Sequence, residues 1–347
     1  MDFSPDARVI THNFRELYQP RISYFCLHMN PAPKYSVVIP VYNRPEELEE
    51  LLQSLAEQKF NDFDVIIVED GSQTTSESVY EKFVSRLAIR YFSKPNSGPG
   101  PSRNFGFEKA KGQYFVVFDS DCILPPEYFE AVEKFLELQP LDAWGGPDRG
   151  HKKFSPLQQA MAHTMSSILT TGGIRGGVNH ASRFQPRSFN MGISKAVFEK
   201  TGGFAFDRLA EDIELSIRMK KTGFRVGLIP GAYVYHKRRT NLRDFFYQVQ
   251  GFGRGRARVG KVHPEEVKLT HWFPAVFFYG LISTPFMFLY SITLGSVMAF
   301  LLSAYLGAIF LDGLRVSHSL SVALLSIPSA IVQLSGYGIG FLNEKLK

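Results

Sequence analysis

The stretch YFVVFDSDCILPPEYF, residues 114–129, begins as a buried strand and then changes character. Tyr114 to Phe118 is an uninterrupted apolar run, which is typical of a strand in the middle of a sheet. Asp119 and Asp121 follow directly, although like charges repel and burying a carboxylate costs free energy. Two carboxylates in this position indicate a site that receives a cation.

Strand-like and helix-like segments alternate from residue 35 onward. Four strand-like segments are found: YSVVIPVYNR (35–44), which closes in a turn, FDVIIVEDGS (63–72), IRYFSK (89–94) and YFVVFDSD (114–121). The segments between them have helical features. The first, PEELEELLQSLAEQ (45–58), spaces its leucines at three or four residues and starts with proline and acidic residues. This alternation predicts an α/β fold, with a mostly parallel sheet and helices on both faces.

Three of these strands end in polar residues: Tyr42 and Asn43, Glu69 and Asp70, and Asp119 and Asp121. Ligands of such sheets bind beyond the carboxyl ends of the strands, so we expect these side chains to surround one site. Mg²⁺ and Mn²⁺ prefer oxygen ligands, and Mg²⁺ typically combines one or two carboxylates with substrate phosphates. Asp119 and Asp121 are therefore the predicted metal ligands. The alternative for this DxD pattern is a turn or a helix cap.

Two further loops have more than one interpretation. Asp70, followed by Gly71, either caps the next helix through backbone N–H groups or accepts a hydrogen bond from a nucleobase N–H. The loop NSGPGPSRNFG (96–106) has Arg103 where a dinucleotide-binding fingerprint requires its third glycine, and it lies in the third β–α unit, which argues against a Rossmann dehydrogenase. A Gly/Pro loop entering a helix with Arg103 in the first turn suits a phosphate group. The alternative is a structural ion pair for Arg103.

The segment AEDIELSIRMKKTG (210–223) has the pattern of an amphipathic helix. Asp212 lies in its predicted first turn, where the helix dipole favours an anion. One hypothesis makes Asp212 a general base, with Glu211 positioning an acceptor; the other is a capped helix without catalytic function. His236 follows an apolar strand and is either a metal ligand or part of a basic surface.

The segment TTGGIRGGVNHASRFQPRSF (170–189) combines several glycines with arginines. Glycine hinges and phosphate-compatible arginines favour a mobile loop over the acceptor or the diphosphate. We assign Arg175, Arg187 and the following Asn190 to this acceptor or loop region.

The C-terminal part of the chain is strongly apolar. Residues 273–311 contain no Asp, Glu, Lys, Arg or His, and a helix of that length would span about 58 Å, against a hydrocarbon core of roughly 30 Å. Two crossings with a turn near residues 291–295 fit this run, and a third apolar segment covers 316–342. A buried helical hairpin in a soluble core is the alternative.

The region before these segments, residues 236–261, is rich in Lys and Arg. Such a cluster predicts a cytoplasmic catalytic domain anchored to anionic lipid at the inner or cytoplasmic membrane. Part of it, FFYQVQGFGRGRARVG (245–260), has the pattern of an interfacial helix. The net charge of +6 is partly this cluster, and the absence of interleaved aromatic and basic residues argues against nucleic acid as a partner.

The N-terminus and the cysteines give little information about function. Residues 1–14 show no signal-peptide pattern, and two unpatterned cysteines fit a reducing compartment. We divide the chain into an N-terminal extension (1–34), a catalytic domain (35–236), a basic juxtamembrane segment (237–270) and a transmembrane region of three helices (271–347).

Taken together, the motifs resemble the family-two inverting glycosyltransferases with the GT-A nucleotide-sugar-binding fold. The resemblance covers residues 35–236 and depends on seven landmarks in order: SVVIPVYNR, VEDGS, PNSGPGPSRNFG, GQYFVVFDSDCILPPEY, NMGISKAVFEKTGGF, AEDIELSIRMKKTG and VYHKRR. Two positions depart from the family pattern, Glu69 where Asp is common and Ser102 where Ala is common, and neither changes an assigned role.

The resemblance implies specific roles for these residues. Pro40 and Tyr42 belong to the donor site, with Tyr42 against the base, and Asp70 holds a uracil-type edge. The resemblance also implies that Asp119 and Asp121 hold the nucleotide and a Mn or Mg ion, that Asp212 is the base, and that His236 is a possible extra metal ligand. These residues, with Arg103 and Glu211, complete the predicted donor and catalytic site.

The predicted function is transfer of one sugar per encounter from a UDP- or GDP-sugar to a lipid-linked or membrane-proximal glycan. Processive members of the family carry a QxxRW motif, but neither Trp144 nor Trp272 follows a Q-x-x-R sequence. A polyprenyl phosphate is an alternative acceptor. A catalytically silent nucleotide-sugar-binding scaffold and a nucleotidyltransferase are alternatives from other classes, which the intact DxD and ED pairs and the membrane segment disfavour.

Overall fold

The computed structural model describes residues 32–149, 154–171, 184–236 and 239–347, without the side chain of His236. A seven-stranded sheet forms its centre, in the order β3-β2-β1-β4-β8-β6-β9. Its strands are β1 (Tyr35–Val41), β2 (Phe63–Asp70), β3 (Ile89–Lys94), β4 (Tyr114–Phe118), β6 (Ala143–Gly145), β8 (Asn190–Ser194) and β9 (Val226–Leu228). Only β8 runs antiparallel to its neighbours, β4 and β6, so the prediction of a mostly parallel sheet is confirmed.

Helices follow most strands of the sheet. In the catalytic domain they are α1 (Pro45–Ala56), α2 (Glu77–Phe83), α3 (Pro99–Lys109), α4 (Tyr128–Leu138), α5 (Pro156–Ser166), α6 (Ile168–Thr171), α7 (Lys195–Thr201) and α8 (Glu211–Lys221). The C-terminal helices are α9 (Leu242–Val262), α10 (Phe273–Tyr290), α11 (Ile292–Ser317) and α12 (Leu320–Lys345).

The sheet is covered on both faces, which explains its apolar strands. Successive side chains of a strand point to opposite faces. Val116 and Phe118 of β4 therefore pack in a core with residues of α1 and α4, whereas Phe115 and Val117 pack in a second core with residues of α3, α7 and α8. All four side chains are at most 2% exposed. An uninterrupted apolar run, rather than an alternating one, is the pattern that such a strand requires.

A small second sheet lies beside the end of β4. It contains β5 (Cys122–Ile123), β7 (Asp148–Arg149) and β10 (Val234–His236), with β10 in the middle. β10 runs antiparallel to β5 and places His236 opposite Cys122, the residue after Asp121. The end of the catalytic domain is therefore paired with the segment that carries the two aspartates.

Three C-terminal helices are long and apolar enough to cross a membrane: Leu269–Tyr290, Ile292–Ser317 and Leu320–Lys345. The first two are joined at Ser291, within the predicted turn. The segment predicted as an interfacial helix lies within α9, which is continuous over 21 residues despite its glycines. Close packing explains two of these glycines. A Cβ on Gly253 or Gly255 would lie within 3 Å of neighbouring backbone or side-chain atoms.

Candidate active site

Polar residues from three neighbouring strands meet at one edge of the sheet. β1 pairs in parallel with β2 on one side and with β4 on the other, so their carboxyl ends lie together. Tyr42 follows β1, Asp70 ends β2, and Asp119 follows β4. The convergence that the sequence predicted is therefore present in the structure.

Arg103 of α3 joins two parts of this site. Its Nη2 donates to Asp119 Oδ1 at 2.7 Å, and its Nη1 donates to Glu211 Oε1 at 2.8 Å. The Arg103 side chain is 3% exposed and lies over the Phe204 ring. The two carboxylates raise its pKa against the opposing effect of burial. The structure shows Arg103 in the ion pair that the sequence left open as the alternative, and contact of Arg103 with a phosphate stays a prediction.

A second arginine, Arg44, pairs with the other aspartate. Its Nη1 lies 2.7 Å from Asp121 Oδ2. The sequence analysis did not select Arg44, although it closes the SVVIPVYNR landmark. Each aspartate of the DxD thus contacts its own guanidinium, which reduces the repulsion between the two carboxylates.

The carboxylates of Asp119 and Asp121 suit a hard divalent cation only if a substrate supplies further oxygen ligands. Among the described side chains, no group of three or more His, Cys, Asp or Glu is arranged to hold a metal. Asp119 and Asp121 supply carboxylate oxygens, and the Asp119 side chain is 34% exposed. Carboxylates completed by phosphate oxygens are typical of Mg²⁺ sites. His236 is next to this pair through its backbone pairing with Cys122, and its side chain lies outside the described residues.

Asp70 stabilises the loop that precedes α3 through hydrogen bonds. Its Oδ1 accepts hydrogen bonds from Lys94 Nζ at 2.5 Å and Ser97 N at 2.9 Å, and its Oδ2 accepts one from Gly98 N at 2.9 Å. Burial acts to raise the pKa of Asp70, but these hydrogen bonds outweigh it and lower the pKa. Asp70 does not cap α2. Glu69 instead accepts a hydrogen bond from Ser76 N, just before α2, at 2.7 Å. Recognition of a nucleobase by Asp70 stays a prediction.

Glu211 and Asp212 form the first turn of α8 and are both buried. Asp212 Oδ2 lies 3.1 Å from Arg187 Nε and accepts from Ser188 N at 3.3 Å. Arg187, predicted in the acceptor region, therefore contacts the predicted base. Because Arg103 links Glu211 to Asp119, the two acidic motifs belong to one connected cluster.

Protonation of Glu211 gives a testable pH dependence. Burial raises its pKa above the ordinary value of 4.5, Arg103 opposes this, and the neighbouring Asp212 adds to it, with a net upward shift. As the pH falls, Glu211 therefore takes up its proton earlier than a free glutamate and loses its charge pairing with Arg103. We expect an acid limb of kcat/KM above pH 4.5, and Glu211→Gln should remove that limb. An unchanged acid limb in Glu211→Gln would assign it to another group.

The backbone before Glu211 is held in an uncommon conformation. Leu209 and Ala210 have φ values of 60° and 63°, in the left-handed region, which costs about 1–2 kcal/mol for a residue with a Cβ. Helix α9 packs against this segment. A Cβ on Gly255 would lie 2.9 Å from the Cβ of Ala210, and Arg258 Nη1 donates to Arg208 O at 3.0 Å. The glycine allows α9 to support the residues that position Glu211 and Asp212.

Gly255→Ala should therefore lower turnover more than donor binding. The added methyl group has to displace Ala210, and displacing a catalytic group by about 1 Å can cost up to ~100-fold in rate. We expect kcat to fall on the order of 10- to 100-fold with little change in the donor KM. Gly307→Ala in α11 is the matched control, because its Cβ would meet nothing within 4 Å. Equal rates for both variants would remove Gly255 from this role.

The remaining predicted residues separate into three groups. Tyr42 is 50% exposed at the site edge and Pro40 is partly exposed in β1, so both are available to a ligand. Asn190 is 0% exposed, accepts from Tyr128 Oη at 2.6 Å and donates to Ala232 O at 2.8 Å. Its assignment to the acceptor region is therefore wrong, because both amide groups are used inside the fold. Arg175 lies outside the described residues, as do residues 172–183 of the predicted mobile loop.

Comparisons with known proteins agree with this architecture. Residues 36–202 match the family model described as glycosyl transferase family 2. The uncharacterized glycosyltransferase EpsJ of Bacillus subtilis is 26% identical over 227 residues, covering 62% of this chain and 64% of EpsJ. The poly(ribitol-phosphate) beta-N-acetylglucosaminyltransferase TarS of Staphylococcus aureus is 32% identical over 108 residues, covering 30% of this chain and 19% of TarS.

A solved structure extends the comparison over most of the chain. Mannosyltransferase PcManGT from Pyrobaculum calidifontis, in complex with GDP-Man and Mn²⁺, has a TM-score of 0.57 at 15% identity, covering 91% of this chain and 88% of PcManGT. This likeness supports the predicted GT-A fold, and the family match confirms the resemblance that the motifs predicted. The matched residues span less than two thirds of EpsJ and of TarS.

Proposed function

We propose that this chain, which belongs to the family 2 glycosyltransferases through residues 36–202, transfers a sugar from a nucleotide-diphosphate sugar to a glycan acceptor at a membrane. The observation that carries the proposal is the Arg103 bridge between Asp119 and Glu211. It connects the end of β4, where a donor diphosphate would bind, with the first turn of α8. This connection supports a site at which donor and acceptor chemistry come together.

In the proposed reaction, Asp212 takes the proton from an acceptor hydroxyl. The hydroxyl oxygen attacks the anomeric carbon from the face opposite the leaving nucleoside diphosphate, so the configuration inverts. Arg187 contacts Asp212 and holds the carboxylate in place. Asp119 and Asp121 would hold a Mn²⁺ or Mg²⁺ ion, whose positive charge stabilises a leaving diphosphate. Holding donor and acceptor in line supplies a further part of the rate acceleration.

The two aspartates provide a direct test of metal binding. We expect Asp119→Asn and Asp121→Asn each to weaken Mn²⁺ binding by at least the ~10- to 100-fold that changes around a metal ligand cost. Calorimetric titration of Mn²⁺ in the presence of UDP or GDP measures this without turnover. Asp64→Asn is the control. Asp64 lies in the amino-terminal part of β2, at the other end of the strand from Asp70, and pairs with Arg90. Metal affinity equal to that of the control would rule out both aspartates as ligands.

Contacts between the catalytic domain and the apolar helices support a membrane-bound acceptor. His163 of α5 contacts Asp312 of α11 at 2.9 Å, and Tyr305 Oη donates to Leu169 O of α6 at 2.9 Å. Ile168 of α6 is 75% exposed. These contacts hold the catalytic domain against the apolar helices, which supports an acceptor attached to a lipid. A polyprenyl phosphate is the second candidate acceptor.

A donor panel tests the function as a whole. Purified chain is incubated with UDP- and GDP-sugars, Mn²⁺ and membrane lipid extract, and the lipid fraction is analysed for transferred sugar. TarS is named for N-acetylglucosamine transfer and PcManGT was solved with GDP-Man, so these sugars are tested first. Addition of a single sugar per lipid supports the proposal. Donor binding without transfer or hydrolysis across the panel would favour the silent scaffold, and an elongating product would contradict one sugar per encounter.

A further inference from the structure

The third apolar helix differs from the other two in its surroundings. In an apolar stretch of 18 residues, 17% of the residues are buried in the first helix and 11% in α11, but 50% are buried in α12. We propose that only α10 and α11 cross the bilayer, as a hairpin, and that α12 lies along the membrane surface beneath the catalytic domain. This proposal concerns topology and does not depend on the proposed activity.

The hairpin of α10 and α11 has the dimensions and surface of a bilayer-crossing unit. The 18 residues of α10 span about 27 Å, close to the roughly 30 Å of a hydrocarbon core. Large apolar side chains are exposed along both helices, including Val276, Tyr279, Ile282, Phe286, Val297 and Phe300. A surface of this kind requires acyl chains as its partner, because it would be unfavourable in water.

Contacts between α12 and the hairpin are found at the hairpin base. A Cβ on Gly313, near the end of α11, would lie 3.1 Å from Ser326 Oγ. At the other end of α12, a Cβ on Gly338 would lie 2.7 Å from Pro274 O, in the first turn of α10. Trp272, just before α10, stacks edge-on against Phe341 with ring centroids 5.0 Å apart.

These positions determine the direction of α12. If α12 ran back beside α11, Gly338 would lie about 18 Å deeper in the bilayer than Ser326, at 1.5 Å per residue. It instead contacts the start of α10, at the catalytic-domain end of the hairpin. In α10, a Cβ on Gly280 would meet nothing within 4 Å, so α12 does not cover this position. Helix α12 therefore crosses the base from α11 to α10.

The other side of α12 is bound to the catalytic domain. Gln333 Nε2 donates to Thr164 O of α5 at 3.2 Å, and a Cβ on Gly340 would lie 2.1 Å from Gln250 O of α9. Near its end, Glu344 pairs with Arg254 and Lys261 of α9, at 3.6 and 3.4 Å. Helices α9 and α12 thus lie at the same depth. Charged side chains are costly within hydrocarbon, so both helices belong at the surface.

The two-crossing and three-crossing arrangements place the residues after α12 on different sides of the membrane. With two crossings, the residues after α12 lie on the same side of the membrane as the catalytic domain. With three crossings, they lie on the opposite side, together with the turn between α10 and α11. The two arrangements therefore differ at Lys347 and agree at Tyr290, which is 84% exposed at the hairpin tip.

Cysteine labelling distinguishes these arrangements. Tyr290→Cys, Lys347→Cys and Glu137→Cys, the last an exposed position in α4, are treated with a membrane-impermeant maleimide in right-side-out and inside-out vesicles. The parent chain, with its two natural cysteines, gives the background. We expect Lys347→Cys and Glu137→Cys to react in the same type of vesicle, and Tyr290→Cys to react only in the other type.

Two results would overturn the proposal. Reaction of Lys347→Cys in the same vesicles as Tyr290→Cys would establish a third crossing. Reaction of Tyr290→Cys together with Glu137→Cys, or only after detergent is added, would mean that the hairpin does not cross. Leu289→Cys, at an 86% exposed position, and Asn343→Cys repeat the comparison if one variant fails to insert.

Discussion

Asp212→Asn should abolish sugar transfer while leaving donor binding intact. The amide keeps the shape of the carboxylate but cannot accept the proton of the acceptor hydroxyl, and general-base catalysis contributes roughly 10²- to 10⁴-fold. We therefore expect kcat to fall by on the order of 10³-fold. Donor affinity should be unchanged, because Asp212 contacts Arg187 and Ser188 rather than Asp119 or Asp121. Turnover and calorimetric donor binding measure the two quantities separately.

Asp62→Asn is the matched control for this experiment. Asp62 is exposed and accepts a hydrogen bond from Lys34 N, and it precedes β2 at the end of the strand opposite to Asp70. The control should keep full activity. Unchanged turnover in Asp212→Asn would remove Asp212 from the mechanism, and a parallel loss of donor affinity would indicate that the change disturbs the donor site instead.

Arg103→Met should have the largest effect on stability. Arg103 is 3% exposed and pairs with both Asp119 and Glu211, so its removal leaves one carboxylate buried without this partner and the other partly so. Breaking a buried ion pair by removing one member costs about 3–5 kcal/mol. For a chain of this size the cost corresponds to a Tm lower by on the order of 10 °C. Thermal unfolding followed in detergent measures it.

A conservative variant and a surface control sharpen this test. Arg103→Lys keeps the charge but not the planar fork that reaches two carboxylates, so we expect an intermediate Tm. Arg86→Met removes an exposed guanidinium that donates to Gln53, and its Tm should shift little. Equal Tm values for Arg103→Met and Arg86→Met would show that the bridge does not stabilise the fold.

The main elements of the fold were predictable because their signals are local. The apolar run at 114–118 required a strand covered on both faces, and β4 has that position in the sheet. Leucine spacing and Pro45 indicated a helix from residue 45, where α1 begins. The polar strand ends indicated the edge of the sheet that carries the site, because parallel neighbours bring their carboxyl ends together.

The partners of the site residues were not predictable in the same way. Arg103 and Glu211 are separated by 108 positions in the chain, and Arg44 and Asp121 by 77. A glycine and proline loop indicated phosphate for Arg103, whereas the fold brings its guanidinium to Asp119 after β4 and to Glu211 in the first turn of α8. Asn190 appeared available beside a glycine-rich segment, but β8 buries it between Tyr128 and Ala232.

The sequence by itself determined the layered sheet, the edge at which acidic residues gather and the long charge-free segment that becomes a helical hairpin. Periodicity and composition carry this information, because each depends on residues close together in the chain. Only the tertiary structure decided which cations face the acids, how α9 supports Ala210, and why the apolar helix α12 lies against protein. These outcomes depend on surfaces that meet only after distant segments pack, where burial and pairing, rather than local pattern, set the free energy.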